Sequence, residues 1–172
     1  PHSFDKFSMD NIGTGEGAQA TGYGLNFAEK EVIAKKYRDM RGPGGHMYEV
    51  NINANPDNFL NLDKPLSEQS RFVQQALGYN NYPEGMTGFG AMVDLGGVDS
   101  PKVAKLLRSK GILGTKQSDL GFFAGAAGKG PHSYAIFDEK IISILRKWGL
   151  RGMLGGGAAA TALNQPEQGQ VY

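Results

Sequence analysis

The residues best suited to hold a small molecule lie between Ile12 and Ala28. There Gly13, Gly15, Gly17, Gly22 and Gly24 are interleaved with Gln19, Tyr23 and Phe27, and a segment carrying Tyr37 follows. Glycine at this density gives up backbone entropy, and a chain keeps it where φ is positive or where backbone must approach a ligand closely. A Rossmann or P-loop cradle is disfavoured, because both need a strand before the glycines and a helix directly after them. Here the glycines follow a polar stretch, and the strand-like Leu25-Asn26-Phe27 comes before the helix. A surface loop without a ligand is the alternative reading of the same residues. His132 beside Ser133 suggests a nucleophile and its base, but neighbours on a strand point to opposite faces and do not pair in that way. The chain has no Cys, so thiol chemistry, disulfides and Cys-ligated zinc are excluded. His2, His46 and His132 are too scattered for a recognisable metal spacing, and no metal is expected.

The elements that must position these residues are readable in outline. A chain of 172 residues with net charge +1 is one domain's length, long enough for a core, and carries no basic footprint for a nucleic-acid backbone. Residues 1–27 read as loop with short extended pieces around Phe4–Phe7 and Tyr23–Phe27. Ala28, Val32, Ile33, Lys36 and Tyr37 have helical spacing, stopped by Gly42-Pro43-Gly44-Gly45. From Met47 to Asn53, Tyr48, Val50 and Ile52 alternate with Glu49, Asn51 and Asn53, as in a half-buried strand. A turn at Asn55-Pro56-Asp57 leads to a short strand over Phe59–Asp63, and Ser67 is expected to cap a helix carrying Phe72, Val73, Ala76 and Leu77. Tyr79 to Gly97 reads as a long irregular insertion. Ser100-Pro101 opens a helix that Gly111 closes. Ile112 to Thr115 starts a strand, Gly121 to Pro131 is a second glycine-rich loop, and Tyr134 to Asp138 is a strand. Ile141 to Leu145 fits strand or helix equally. Short strands and helices without βαβ alternation give an α+β class. The domain is expected over residues 1–148, with 149–172 a Gly/Ala-rich and then polar tail serving as linker or packing segment.

Gly22-Tyr23-Gly24-Leu25-Asn26-Phe27-Ala28, with Tyr37 eleven residues past Asn26, resembles the nicotinamide-pocket segment of ADP-ribosyltransferases of the poly(ADP-ribose) polymerase or diphtheria-toxin type. Phe4-Asp5-Lys6-Phe7 and Ile12 to Gln19 resemble a narrower branch, the ADP-ribosyltransferase domains of phage and mobile-element polyvalent proteins. Met47 to Ile52, Leu107 to Gly114, Tyr134 to Asp138 and Ile141 to Leu145 fit that branch in order and spacing. The resemblance implies two packed antiparallel sheets framing an NAD cleft, with flanking helices. NAD is then a substrate, and cleavage of its nicotinamide–ribose bond passes through an oxocarbenium-like state. Gly13, Gly15, Gly17 and Gln19 would lie along the adenosine or diphosphate side, and Tyr23, Gly24, Phe27 and Ala28 would belong to the pocket. Tyr37 is either a wall against the nicotinamide ring or a side chain packing its helix to the core.

Three positions depart from the family pattern. The family's His-Gly dipeptide would fall just before Pro1, and His2 does not fill its place. The chain begins without Met, which reads as a processed product or a piece of a longer polypeptide. Asn26 stands where the family has its first tyrosine, and Ser133 where it has its glutamate. Ser133 brings no charge to an oxocarbenium, and Glu16, Glu29, Asp119 and Asp138 are the carboxylates available to compensate. The expected activity is NAD-dependent mono-ADP-ribosyl transfer to a host protein or nucleic acid, in the virion or host cytoplasm. Without the His-Gly element that activity is expected to be weak or absent. The alternative is a degenerate domain of the same kind serving as a structural or ejected virion protein beside other virion proteins. No apolar run is long enough to span a membrane.

Overall fold

A computed structural model describes residues 5–13, 19–40, 47–119, 131–148 and 170–171. Gly15, Glu16, Gly17, the stop at 42–45, the loop at 121–130 and most of the tail lie outside the described residues. The fold is α+β, with two sheets and four α-helices among the described residues. The first sheet contains β1 (Leu25–Ala28), β5 (His132–Ile136), β4 (Gly114–Ser118) and β3 (Phe59–Asn61), in that spatial order. The second has β2 (Met47–Ile52) between β6 (Ile142–Trp148) and β7 (Gln170–Val171). The helices are α1 (Glu31–Met40), α2 (Arg71–Leu77), α3 (Gly88–Asp94) and α4 (Pro101–Ser109).

The first sheet corrects the expectation of two antiparallel sheets, because β3 runs parallel to β4. A parallel pair requires a crossover, and the chain between them supplies α2, α3 and α4. One βαβ-type connection is therefore present. Tyr79 to Gly97, expected to be irregular, contains α3. Its glycines conceal it from propensity, yet they are what the packing demands. A Cβ on Gly88 would collide with the carbonyl oxygen of Asn61 in β3, and Thr87 caps the helix by accepting from Gly90 N at 3.1 Å. The cap of α2 is Ser70, whose Oγ accepts from Val73 N at 3.2 Å, while Ser67 sits one short turn earlier. Ser100 and Pro101 open α4 as expected, and Gly111 follows it with φ +82°.

Strand β2 keeps its alternation, with Tyr48, Val50 and Ile52 packed in one core. Its register against β6 shifts between Glu49 and Val50, where β6 carries one extra residue, Leu145. Glu49 is buried and meets Arg146 of β6 at 3.5 Å. The ambiguous run after Ile141 is strand β6. The last residues of the expected tail pair with β2 as β7.

Two cores lie on opposite faces of the first sheet. On one face, Leu60, Ala135 and Phe137 pack with Val73, Leu77, Met92, Val103 and Leu107 of the helices. On the other, Phe27, Phe59 and Ile136 meet Val50 of the second sheet, flanked by Phe7, Tyr48, Ile142 and Ile144. Period-2 geometry divides β5 between the two, so Ala135 and Ile136 serve different layers.

Candidate functional site

The end of the first sheet where β1 finishes and β5 begins gathers the polar side chains. Antiparallel register sets Ala28 opposite Ser133, Gln117 opposite Ser133 from the other side, and Ser118 opposite His132. The ladder continues one step past β1, with Glu29 N donating to His132 O at 2.8 Å. Alternation then gives each face its own set. His132, Tyr134, Lys116 and Ser118 share the face toward the second sheet, while Ser133, Gln117 and Ala28 share the face toward the helices.

On the first of these faces, Glu29 Oε2 accepts from the backbone N–H of His132 at 2.8 Å and lies 3.0 Å from its Nδ1. One carboxylate oxygen thus fixes both the start of the strand and the orientation of the imidazole, placing the Nδ1 proton against Glu29. The Tyr134 ring lies 6.5 Å from the imidazole. Burial, and then the Glu29 charge, raise the Tyr134 phenol above its ordinary pKa. Lys116 is pulled low, first by burial and then by Lys64, with Asp57 and Glu29 opposing. Ser118 N donates to Asp63 Oδ2 at 2.7 Å, whereas Ser118 Oγ is buried with no partner among the described residues.

On the second face, Ser133 Oγ is 2.8 Å from both carboxylate oxygens of Asp119. A hydroxyl has one proton, so it donates to one oxygen at a time. Asp119 is only 8% exposed, and burial raises its pKa. The Ser133 hydrogen bond and the His132 imidazole pull the other way, and Glu29 adds to the rise. The Tyr37 phenol on α1 is raised first by burial and then by the Asp119 charge.

Of the four carboxylates able to compensate for Ser133, Asp119 touches it and Glu29 is one strand away. Asp138 is engaged elsewhere, 2.6 Å from Arg108, and Glu16 is outside the described residues. Asn26 is exposed. Its Oδ1 accepts from Thr21 Oγ1 at 2.7 Å and its Nδ2 donates to Gly24 O at 3.5 Å. The Gln19 amide turns back on its own loop, and with its nitrogen assigned to the side that faces the carbonyls it donates to Gly22 O at 3.0 Å and to Gly24 O at 3.3 Å.

Packing accounts for two of the glycines. A Cβ on Gly24 would come 2.6 Å from Ile136 O, and one on Gly22, at φ +140°, 2.9 Å from Thr115 Oγ1. Gly13, at φ +81°, faces open space. Phe27 is in the inter-sheet core, edge-on to Phe7 at 5.1 Å, and Tyr23 packs against the helix-side core. Ala28 and Ser133 therefore belong to the polar end, whereas Tyr23, Gly24 and Phe27 hold the sheet together.

Sequence reasoning missed the Glu29–His132 pair. Its signal was the register itself: once β1 is paired with β5, Glu29 must fall opposite His132. Among the described residues, no three His, Asp or Glu side chains converge as a metal site, and no helix is long and apolar enough to cross a membrane. No family model, curated protein or solved structure matches this chain.

Proposed function

We propose that this domain binds NAD and transfers its ADP-ribose, with the nicotinamide ribose held at the polar end of the first sheet. The observation that carries this reading is the contact between Ser133 and the buried Asp119, 2.8 Å to each carboxylate oxygen. Ser133 is the position at which the resemblance calls for a glutamate. Asp119 supplies the missing carboxyl from the adjoining strand end. A carboxylate there stabilises the positive charge that develops on the ribose as the glycosidic bond breaks. The Ser133 hydroxyl holds that carboxylate in position.

Tyr37 adds an aromatic side chain, 43% exposed, whose phenol is influenced by Asp119. Such a ring offers a face to the flat nicotinamide. The acceptor is a macromolecule of the host, and a phage or mobile-element origin follows the resemblance alone.

Calorimetric titration of the chain with NAD tests the reading. We expect saturable binding that weakens about tenfold in Tyr37→Ala, the loss of one aromatic contact of about 1 kcal/mol or somewhat more. Asp119→Asn should leave binding within about threefold while reducing cleavage by about a hundredfold or more, as expected for a group acting on transition-state charge. Absence of NAD binding would leave the degenerate virion domain as the better account.

A further inference from the structure

We propose that a cleft ahead of α3 docks an extended, proline-containing segment of another protein that carries arginine or lysine. The cleft has a volume of about 280 Å³ and is walled by two separate pieces of chain, residues 66–67 and 79–86. It shares no residue with the polar end of the first sheet, so the inference stands apart from the transferase reading. Its form follows from the local backbone. Leu66 N donates to Met86 O at 2.7 Å, which draws the two pieces together, and the buried Leu66 lines the cleft. A 3-10 turn over Tyr79–Asn81 closes with Tyr82 N donating to Tyr79 O at 3.0 Å. At three residues per turn, side chains at i and i+3 lie over one another, and Tyr79 and Tyr82 both line the cleft. Pro83 and Met86 complete the apolar lining. α3 starts two residues after Met86, and its Phe89 and Val93, one turn apart, are 46% and 53% exposed. Exposed apolar surface therefore does not end with the lining residues.

Charge selects the occupant. From Pro65 to Ser100 the chain has four acidic residues, Glu68, Glu84, Asp94 and Asp99, against one basic residue, Arg71. The whole chain is at +1, so this stretch is acidic within a basic remainder. Glu84 lines the cleft, and Glu68 follows the lining Ser67. Burial and then the Asp94 charge raise the Tyr82 phenol. Among the described residues none of the four carboxylates forms an ion pair. Such a rim attracts a cationic side chain, and one placed over an open tyrosine ring gains a cation–π contact as well.

The polar groups of the cleft suit a backbone in the polyproline conformation. That helix has no internal hydrogen bonds, so its carbonyls take donors from outside. Ser67, Asn80 and the two tyrosines carry such donors, and none of these side chains makes a hydrogen bond among the described residues. Proline rings lie on aromatic faces, and a chain that arrives already extended loses little freedom on docking. A neutral sugar would use the rings and leave the carboxylates without a partner. A small cation alone would leave most of the apolar wall uncovered.

The test titrates the full chain into a fluorescein-labelled peptide of about ten residues, with proline at every third position and arginine at both ends, and follows anisotropy. We expect saturable binding that weakens about tenfold in Tyr79→Ala, whose ring is outside both cores. Glu84→Lys, at an exposed position, should weaken it about tenfold at low salt and less at high salt. The same peptide with glutamate for arginine, or with alanine for proline, should bind the wild-type chain about tenfold more weakly or worse. Binding that neither variant weakens overturns the proposal, as does an alanine peptide that binds equally well, or no binding up to about millimolar peptide. Free arginine that competes as well as the whole peptide would make the cleft a cation cage and overturn the extended partner. A chain that sediments as a dimer, and as a monomer in Tyr79→Ala, would put a second copy in the cleft and overturn it equally.

Discussion

Asp119 is subject to opposing influences, and their balance is measurable. Burial raises its carboxyl, Ser133 and His132 lower it, and the net direction is upward. An acid whose folded pKa exceeds its unfolded one favours the folded state at low pH. That contribution is complete below the unfolded pKa and is lost as pH rises through the folded one. Asn at this position still accepts from Ser133 and never ionises. The stability of Asp119→Asn relative to wild type should therefore improve steadily from acid, across and just above the ordinary carboxylate range, to neutrality. Thermal melts over that window check the slope, and a flat difference would contradict the upward shift. Ser133→Ala removes one of the lowering influences, so in that variant the transition should move to still higher pH. Gly24 poses a steric question at the same scale. With its Cβ placed 2.6 Å from Ile136 O, Gly24→Ala should cost about 1–3 kcal/mol, visible as a lowered melting temperature. That cost belongs to the sheet, so it would appear whether or not NAD is present.

Strand β3 shows how a single side chain can finish an element. It is three residues long and at the edge of its sheet among the described residues, with no further described strand on the far side of Asn61. Gln69 takes that place: its Oε1 accepts from Asn61 N at 2.9 Å, and its Nε2 donates to Asn61 O at 2.7 Å. Gln69→Leu keeps the bulk and leaves both backbone groups buried, so we expect a loss of about 2–4 kcal/mol in urea unfolding, the sum of two unsatisfied groups partly relieved by water. The sequence carried no hint of this role, because a Gln in a polar loop looks the same whether or not it closes a sheet. Other elements were legible for local reasons. Ser100-Pro101 and Gly111 bracket α4 by cap chemistry, and the β-rich runs at 47–52 and 134–136 follow side-chain period. What failed to show was non-local. The pairing of the buried Glu49 with Arg146 depends on β6, the helicity of a segment with Gly88 and Gly90 depends on how closely α3 approaches β3, and the pairing of 170–171 with β2 joins distant parts of the chain. The candidate site follows the same rule. Tyr37 and Ser133 were singled out by the resemblance, whereas Asp119 and Glu29 acquire meaning only when β4 and β1 flank β5.

At the scale of the whole molecule, β5 is the element through which the two cores must communicate. Ala135 and the adjoining Phe137 belong to the helix-side core, and Ile136 between them belongs to the inter-sheet core. None of the three is more than 2% exposed, so neither core can loosen without moving a strand that the other requires. The polar end is built on the same strand, which makes the position of His132 and Ser133 depend on both layers. A cavity in one core should thus be felt in the other. Leu107 of α4 is fully buried on the helix side, and Leu107→Ala should cost about 2–5 kcal/mol. Trp148, the single tryptophan, is the last residue of β6 in the other sheet. If the chain unfolds as one unit, the urea midpoint of the variant falls by the same amount in tryptophan fluorescence and in far-ultraviolet circular dichroism. Two separated transitions, with the fluorescence midpoint unmoved, would mean that β5 does not couple the layers. The carboxylates flanking His132 and Ser133 would then be held by the first sheet and its helices alone.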